Sequence, residues 1–87
     1  MDIEYDPAKD AANREKHGVS LVLGRIVLAN SVGEEADERD DYGELRRIAY
    51  GLIRGRLFVC VYTLRGDTCR IISVRKANRR EQRRWLS

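Results

Sequence analysis

The chain has 87 residues and 10.1 kDa, 43% hydrophobic and 36% charged, which is enough for a single domain spanning 1–87 but leaves no room for a second catalytic domain. No apolar run approaches the ~20 residues of a membrane span, the first six residues are acidic rather than a basic targeting start, and Cys60 and Cys69 are too few for a disulfide framework or a four-ligand zinc site. A soluble, cytoplasmic protein with no membrane partner, no metal and no cofactor is therefore expected, and its formal charge of +3 hides a division: residues 1–44 carry −7 and residues 45–87 carry +10.

In chain order, Asp6 is a good N-cap, Pro7 suits a first helical position and Gly18 a C-terminal stop, so a helix is predicted over 7–17. Its apolar residues Ala8, Ala11 and Ala12 are small and would permit close packing beneath them. Ser20 caps a second predicted helix, Leu21 to Asn30, although Gly24 weakens it and Val22, Ile26 and Val27 also suit a strand. The acidic stretch from Gly33 to Asp41 reads as a loop with at most a short edge strand near 31–35.

Beyond it the period becomes two. Runs 46–53, 56–64 and 68–76 are β-branched and aromatic, and Arg54-Gly55 and Gly66-Asp67 punctuate them as hairpin turns. Asn78 with Glu81 three residues later resembles a capping box that opens a last helix ending near Trp85-Leu86. The expected fold class is α+β: two N-terminal helices, an antiparallel meander of three to four strands, and a C-terminal helix, with the helices covering one sheet face.

Several side chains could carry chemistry. Lys9, Asn13 and Lys16 share a helical face that ends at His17, the only histidine and the default general acid or base; alternatively His17 simply complements the helix dipole. Strict alternation in the third run places Arg75 with Cys69, Ile71 and Ser73, and Arg70 on the other face with Ile72, Val74 and Lys76. Each arginine either awaits an anion on a solvated face or pairs with an acid such as Glu44 or Glu81. Arg79, Arg80, Arg83 and Arg84 form like-charged i, i+4 neighbours on the last helix, two of them near its positive end, as if an anion docks there; the acidic 34–41 segment is the internal candidate. With 14 arginines among 17 basic residues, nucleic acid is the first polyanionic partner to consider, and a surface whose halves neutralise one another is the alternative.

Tyr5-Asp6-Pro7-x-Lys9, Asn13, Lys16-His17-Gly18-Val19-Ser20, Tyr42-Gly43-Glu44-x-Arg46, Gly51, Tyr62-Thr63-x-Arg65 and Arg70-Ile71-Ile72-Ser73-x-Arg75-Lys76-Ala77 together resemble the BrnT family of type II toxins, which are similar in fold to RelE ribonuclease toxins. The likeness runs from about residue 4 to residue 85; several members carry Trp where Tyr5 stands and Phe where this chain has Leu21. It implies an endoribonuclease that needs no metal and arrests translation, with or without the ribosome. It also implies neutralisation by a BrnA-type antitoxin with a ribbon-helix-helix part, through which alone operator DNA would be bound. The residue types such cleavage needs point to His17 as acid or base, Glu44 as base or orienting partner, and Arg70 and Arg75 as phosphate clamps. Lys9, Lys16, Arg65, Lys76, Arg79, Arg80 and Arg83 would then bind RNA. The alternative is a non-catalytic nucleic-acid-binding or antitoxin-partner module acting in operon autorepression.

Overall fold

The computed structural model describes residues 1–87. Strand β1 (Asp2–Glu4) is followed by helix α1 (Pro7–His17), a 3-10 turn (Leu21–Leu23), helix α2 (Gly24–Ala29) and strand β2 (Ser31–Ala36). Strands β3 (Arg47–Ile53), β4 (Arg56–Arg65) and β5 (Thr68–Lys76) and helix α3 (Arg79–Leu86) complete the α+β chain. The sheet has five strands in the order β1-β5-β4-β3-β2, antiparallel except for β1, which runs parallel to β5. The expected antiparallel meander of three to four strands is present with its fourth, edge strand at β2, and it is corrected at the other end, where β1 joins as a fifth, parallel strand. β1 carries a single apolar residue, Ile3, too short a signal to read. Within β2 the carboxylates of Glu34 and Glu35 each accept from a tyrosine hydroxyl across the sheet, Tyr62 for Glu34 on one face and Tyr50 for Glu35 on the other.

The local signals behave as their chemistry demands. Asp6 accepts from the Ala8 N–H at 2.8 Å, Gly18 closes α1 at φ 75°, and Asn78 and Glu81 form a reciprocal capping box. Arg54 and Gly55 both take positive φ, 50° and 78°, as a two-residue hairpin turn between β3 and β4 requires. The second predicted helix is corrected: Ser20 caps a 3-10 turn, and α2 begins only at Gly24, where a Cβ would stand 2.9 Å from the Ile71 side chain.

Both faces of the sheet are covered, not one. Under α1 and α2 lie Leu21, Val27, Ala49, Phe58, Cys60, Tyr62, Ile71 and Val74. On the other face Ile48, Tyr50, Leu57, Val59, Val61 and Ala77 form a smaller cluster against which Trp85 of α3 packs. The alanines of α1 face solvent, whereas Asp10 and Asn13 are its buried residues. Asp10 accepts from the Ser20 hydroxyl and the Leu21 N–H, and these bonds hold its carboxyl below the usual range against burial. Asn13 donates to the carbonyls of Val19 and Val74 and accepts from the Val74 N–H. Since β1 ends at its pairing with Arg70, this amide takes the place of the missing neighbour strand and docks α1 along the β5 edge.

Alternation along β5 is broken. Val61 pairs with Ser73 but Tyr62 pairs with Ile71, so Ile72 is an extra residue and the phase shifts by one. Arg70 and Arg75 therefore lie on the same face, that of Val61 and Thr63, and not on opposite faces as unbroken alternation predicts. Ile71 and Val74 turn together toward the helices.

Candidate active site

On the face opposite α1 and α2 the sheet floors an open groove of about 650 Å³. Ile48, Tyr50, Val59, Val61 and Ser73 form the floor; the end of α1, the segment 35–39 and α3 form the walls. Asn13 explains why a helix from the far side contributes. Anchored to the β5 edge by that residue, α1 ends one turn later with Lys16 and His17 on the groove rim, beside Arg75.

His17 is half-buried, and its imidazole is held below its ordinary value by burial first, then by the charges of Lys16 and Arg75. Both effects favour the neutral imidazole, the form able to accept a proton. Arg75 donates from Nη1 and Nη2 to the two carboxylate oxygens of Glu81, each at 2.8 Å. That grip pushes the guanidinium up and the Glu81 carboxyl down. Of the two sequence alternatives for Arg75, an internal partner and a place in a solvated groove, both are realised at once. Lys16 and Arg80 line the same groove and have no acidic partner within 4 Å.

The opposite wall is acidic, with Asp37 and Glu35 paired and Glu38 without an ion-pair partner. Buried Asp37 accepts from Nε and Nη2 of Arg39, both at 2.7 Å, and these bonds lower its carboxyl pKa. Glu35 accepts from Tyr50 and from Arg84, so one arginine of α3 does find the acidic segment as the sequence alternative held. Trp85 stacks on Tyr50 with centroids 4.7 Å apart.

The groove thus brings together Lys16, His17, Arg75 and Arg80 of the residues nominated from sequence. Arg70 lies toward the start of β5, 3.5 Å from Glu4. Glu44 lies 3.6 Å from Arg46 and 4.0 Å from Arg65, on a separate cleft of about 210 Å³ beside Leu45, Arg47, Thr63 and Leu64. Lys9, Lys76, Arg79 and Arg83 are exposed outside the groove without acidic partners, and Lys76 pairs across from Phe58 on the helix-covered side. Sequence reasoning missed Tyr50, Glu35, Asp37 and Arg39 as groove residues. Only the alternation of β3, which puts Tyr50 in phase with Ile48, carried a signal for any of them.

Fold and groove together define a class: a small α+β protein whose sheet floors a groove with a cationic rim, where a half-buried imidazole stands beside a fixed guanidinium. The family follows from the sequence as well. The family model for BrnT, the ribonuclease toxin of type II toxin–antitoxin systems, matches residues 5–81, and the chain belongs to that family. No curated protein matches the chain. A type II toxin of this family has an RNA target and an antitoxin partner. No helix is long and apolar enough to cross a membrane.

Proposed function

We propose that the chain is a RelE-like endoribonuclease of the cytoplasm that cuts RNA in this groove without a metal ion, arrests translation, and is neutralised by a BrnA-type ribbon-helix-helix antitoxin. One observation carries the reading: the only histidine of the chain stands on the rim of the groove of about 650 Å³ beside Arg75, Lys16 and Arg80. His17 takes the proton of a ribose 2′-OH, the 2′-oxygen attacks the adjacent phosphorus, and the P–O5′ bond breaks. The products are a 2′,3′-cyclic phosphate and a 5′-hydroxyl, whose proton comes from solvent. Arg75, Lys16 and Arg80 supply the positive charge that the phosphorane requires. Arg70 and Glu44 support the site from outside the groove, and Lys9, Arg65, Lys76, Arg79 and Arg83 extend the RNA path.

The test is incubation of the purified protein with total RNA in EDTA, with His17→Gln alongside. Cleavage to cyclic-phosphate ends by the wild type, lowered ~100-fold in the variant at unchanged melting, is the expected outcome. A second reading draws on the unpaired Lys16, Arg79, Arg80 and Arg83: a non-catalytic nucleic-acid-binding module. Intact RNA, bound with steep salt dependence, would favour it.

A further inference from the structure

Arg75 has five N–H donors in two forks, one end-on through Nη1 and Nη2 and one side-on through Nε and Nη2. The end-on fork is filled by Glu81, and Nη1 also reaches the Lys76 carbonyl at 3.3 Å. Nε makes no hydrogen bond, yet it is absent from the buried unpartnered atoms, which are the Arg46 Nε and the Trp85 Nε1. Nε is therefore partnerless and solvent-accessible, on a side chain that lines the groove.

Glu81 is itself fixed. Its Oε1 accepts from the Asn78 N–H at 2.9 Å while the Glu81 N–H donates to Asn78 at 2.9 Å, so the carboxylate that holds the guanidinium is clamped to the first turn of α3. The guanidinium plane is thus set by two rigid elements, strand β5 through its own backbone and α3 through Glu81. A flexible arginine side chain would otherwise lose rotamer freedom each time it met substrate.

We infer that Glu81 is a positioning residue for RNA cleavage, holding Arg75 by its end-on fork so that the side-on fork of Nε and Nη2 is presented to the scissile phosphodiester. The inference rests on the proposed RNA-cleaving reading of the groove. A bidentate fork matches two phosphate oxygens only when its plane is correct, and small misplacement in such a site costs up to ~100-fold in rate. Glu81 touches no substrate in this arrangement. It acts through Arg75.

The test compares wild type, Glu81→Gln and Glu81→Asp on a short oligoribonucleotide, with melting recorded for each. Gln keeps the oxygen that accepts from Asn78 but offers Arg75 an NH₂ in place of the second oxygen. Asp keeps the charge but falls one methylene short. The expected result is a kcat lowered ~10-fold or more in Gln and less in Asp, with KM within about threefold and melting nearly unchanged, because the loss falls on transition-state alignment rather than on binding. Full kcat in a stable Glu81→Gln while the wild type cleaves would overturn the positioning role. So would tighter binding with faster turnover, which would make Glu81 a competitor for the fork. Should Glu81→Gln melt much earlier, Glu81→Asp decides: with its kcat unchanged the inference falls. A wild type that leaves the oligonucleotide intact would instead sink the cleavage reading itself, a separate outcome.

Discussion

Two buried or half-buried polar residues of α1 behave differently because one is saturated and the other is not. Asn13 makes three hydrogen bonds to main chain, two of them at the otherwise open β5 edge. Asn13→Ala leaves those groups without partners and is expected to cost ~3 kcal/mol in urea or thermal unfolding. A loss within a few tenths of a kcal/mol would mean that water replaces the amide. His17 has no hydrogen-bond partner of its own and owes its lowered pKa to burial, Lys16 and Arg75. If it is the general base, activity rises with pH through that lowered value, so the acid limb of kcat/KM should lie below the ordinary imidazole range near 6.5. Lys16→Gln removes a repelling cation, favours the protonated imidazole, and should move the limb to higher pH. A limb that stays put after this change would argue against the assignment.

Among elements, α3 is the one whose attachment is by side chains. Trp85 stacks on Tyr50 and lies against Gly33, Arg84 reaches Glu35, and Glu81 grips Arg75. Gly33 matters here because a Cβ at that position would come within 2.1 Å of the Trp85 ring, with two further ring atoms inside 3 Å. Gly33→Ala should therefore expel Trp85 from its seat and loosen α3 while the sheet persists. Blue-quenched indole fluorescence shifting to the red, with little change in far-ultraviolet dichroism, would record it; an unchanged Trp85 signal would show that the backbone of β2 yields instead. The arginines of α3 divide in the same way. Arg84 is committed to Glu35, whereas Arg79 and Arg83 point to solvent without partners. Arg79→Gln and Arg83→Gln should weaken RNA binding and flatten its log-log salt slope by up to ~0.7 for each lost phosphate contact, leaving turnover at saturation alone. Arg75→Lys should do the reverse, since it keeps charge and loses the fork. Lost turnover at saturating RNA in the α3 variants would refute this division of labour.

For the whole molecule, the acidic and basic halves of the chain meet rather than stand apart. Glu34 lies 3.4 Å from Arg47, Glu4 reaches Arg70, Glu35 reaches Arg84, and Glu44 reaches Arg46 and Arg65. Each pair joins an acid of the first half to an arginine of the second. Nine of the 17 cations and seven of the 14 acids stay outside every ion pair of the molecule, and of these cations Lys16 and Arg80 line the groove while Arg79 and Arg83 stand on α3 beside it, free for an external anion. The buried bonds also set the pH response. Asp10, Asp37 and Glu81 all have carboxyl groups lowered from their ordinary values, the first by the Leu21 N–H, the second by Arg39 and the third by Arg75. A folded-state value below the unfolded one contributes stability that is complete above about pH 5 and is lost as pH falls through the folded values. The melting temperature should thus hold between pH 7 and 5 and fall below about 4. Asp37→Asn should lower it at neutral pH and shallow the acid decline; an equal slope in the variant would exclude Asp37 as a contributor.

The elements governed by local chemistry were legible in the sequence. Asp6-Pro7 and Gly18 bounded α1, Arg54-Gly55 and Gly66-Asp67 set the hairpins, and Asn78 with Glu81 opened α3, because caps and turns are satisfied within a few residues. The family was legible too, since its motifs are contiguous strings whose order alone carries the information. Tertiary structure decided what depends on residues far apart. Glu34 and Glu35 sit in β2 with tyrosine hydroxyls of β4 and β3 donating to them, and α1 turns Asp10 and Asn13 inward because Leu21 and Val74 have backbone groups to satisfy. The side of the sheet on which an arginine falls was decided by one extra residue, Ile72, since a bulge shifts every later side chain by one phase. No local pattern announces where the neighbouring strand will absorb it, and that shift puts Arg70 and Arg75 on one face, with Arg75 in the groove beside His17 and in the grip of Glu81.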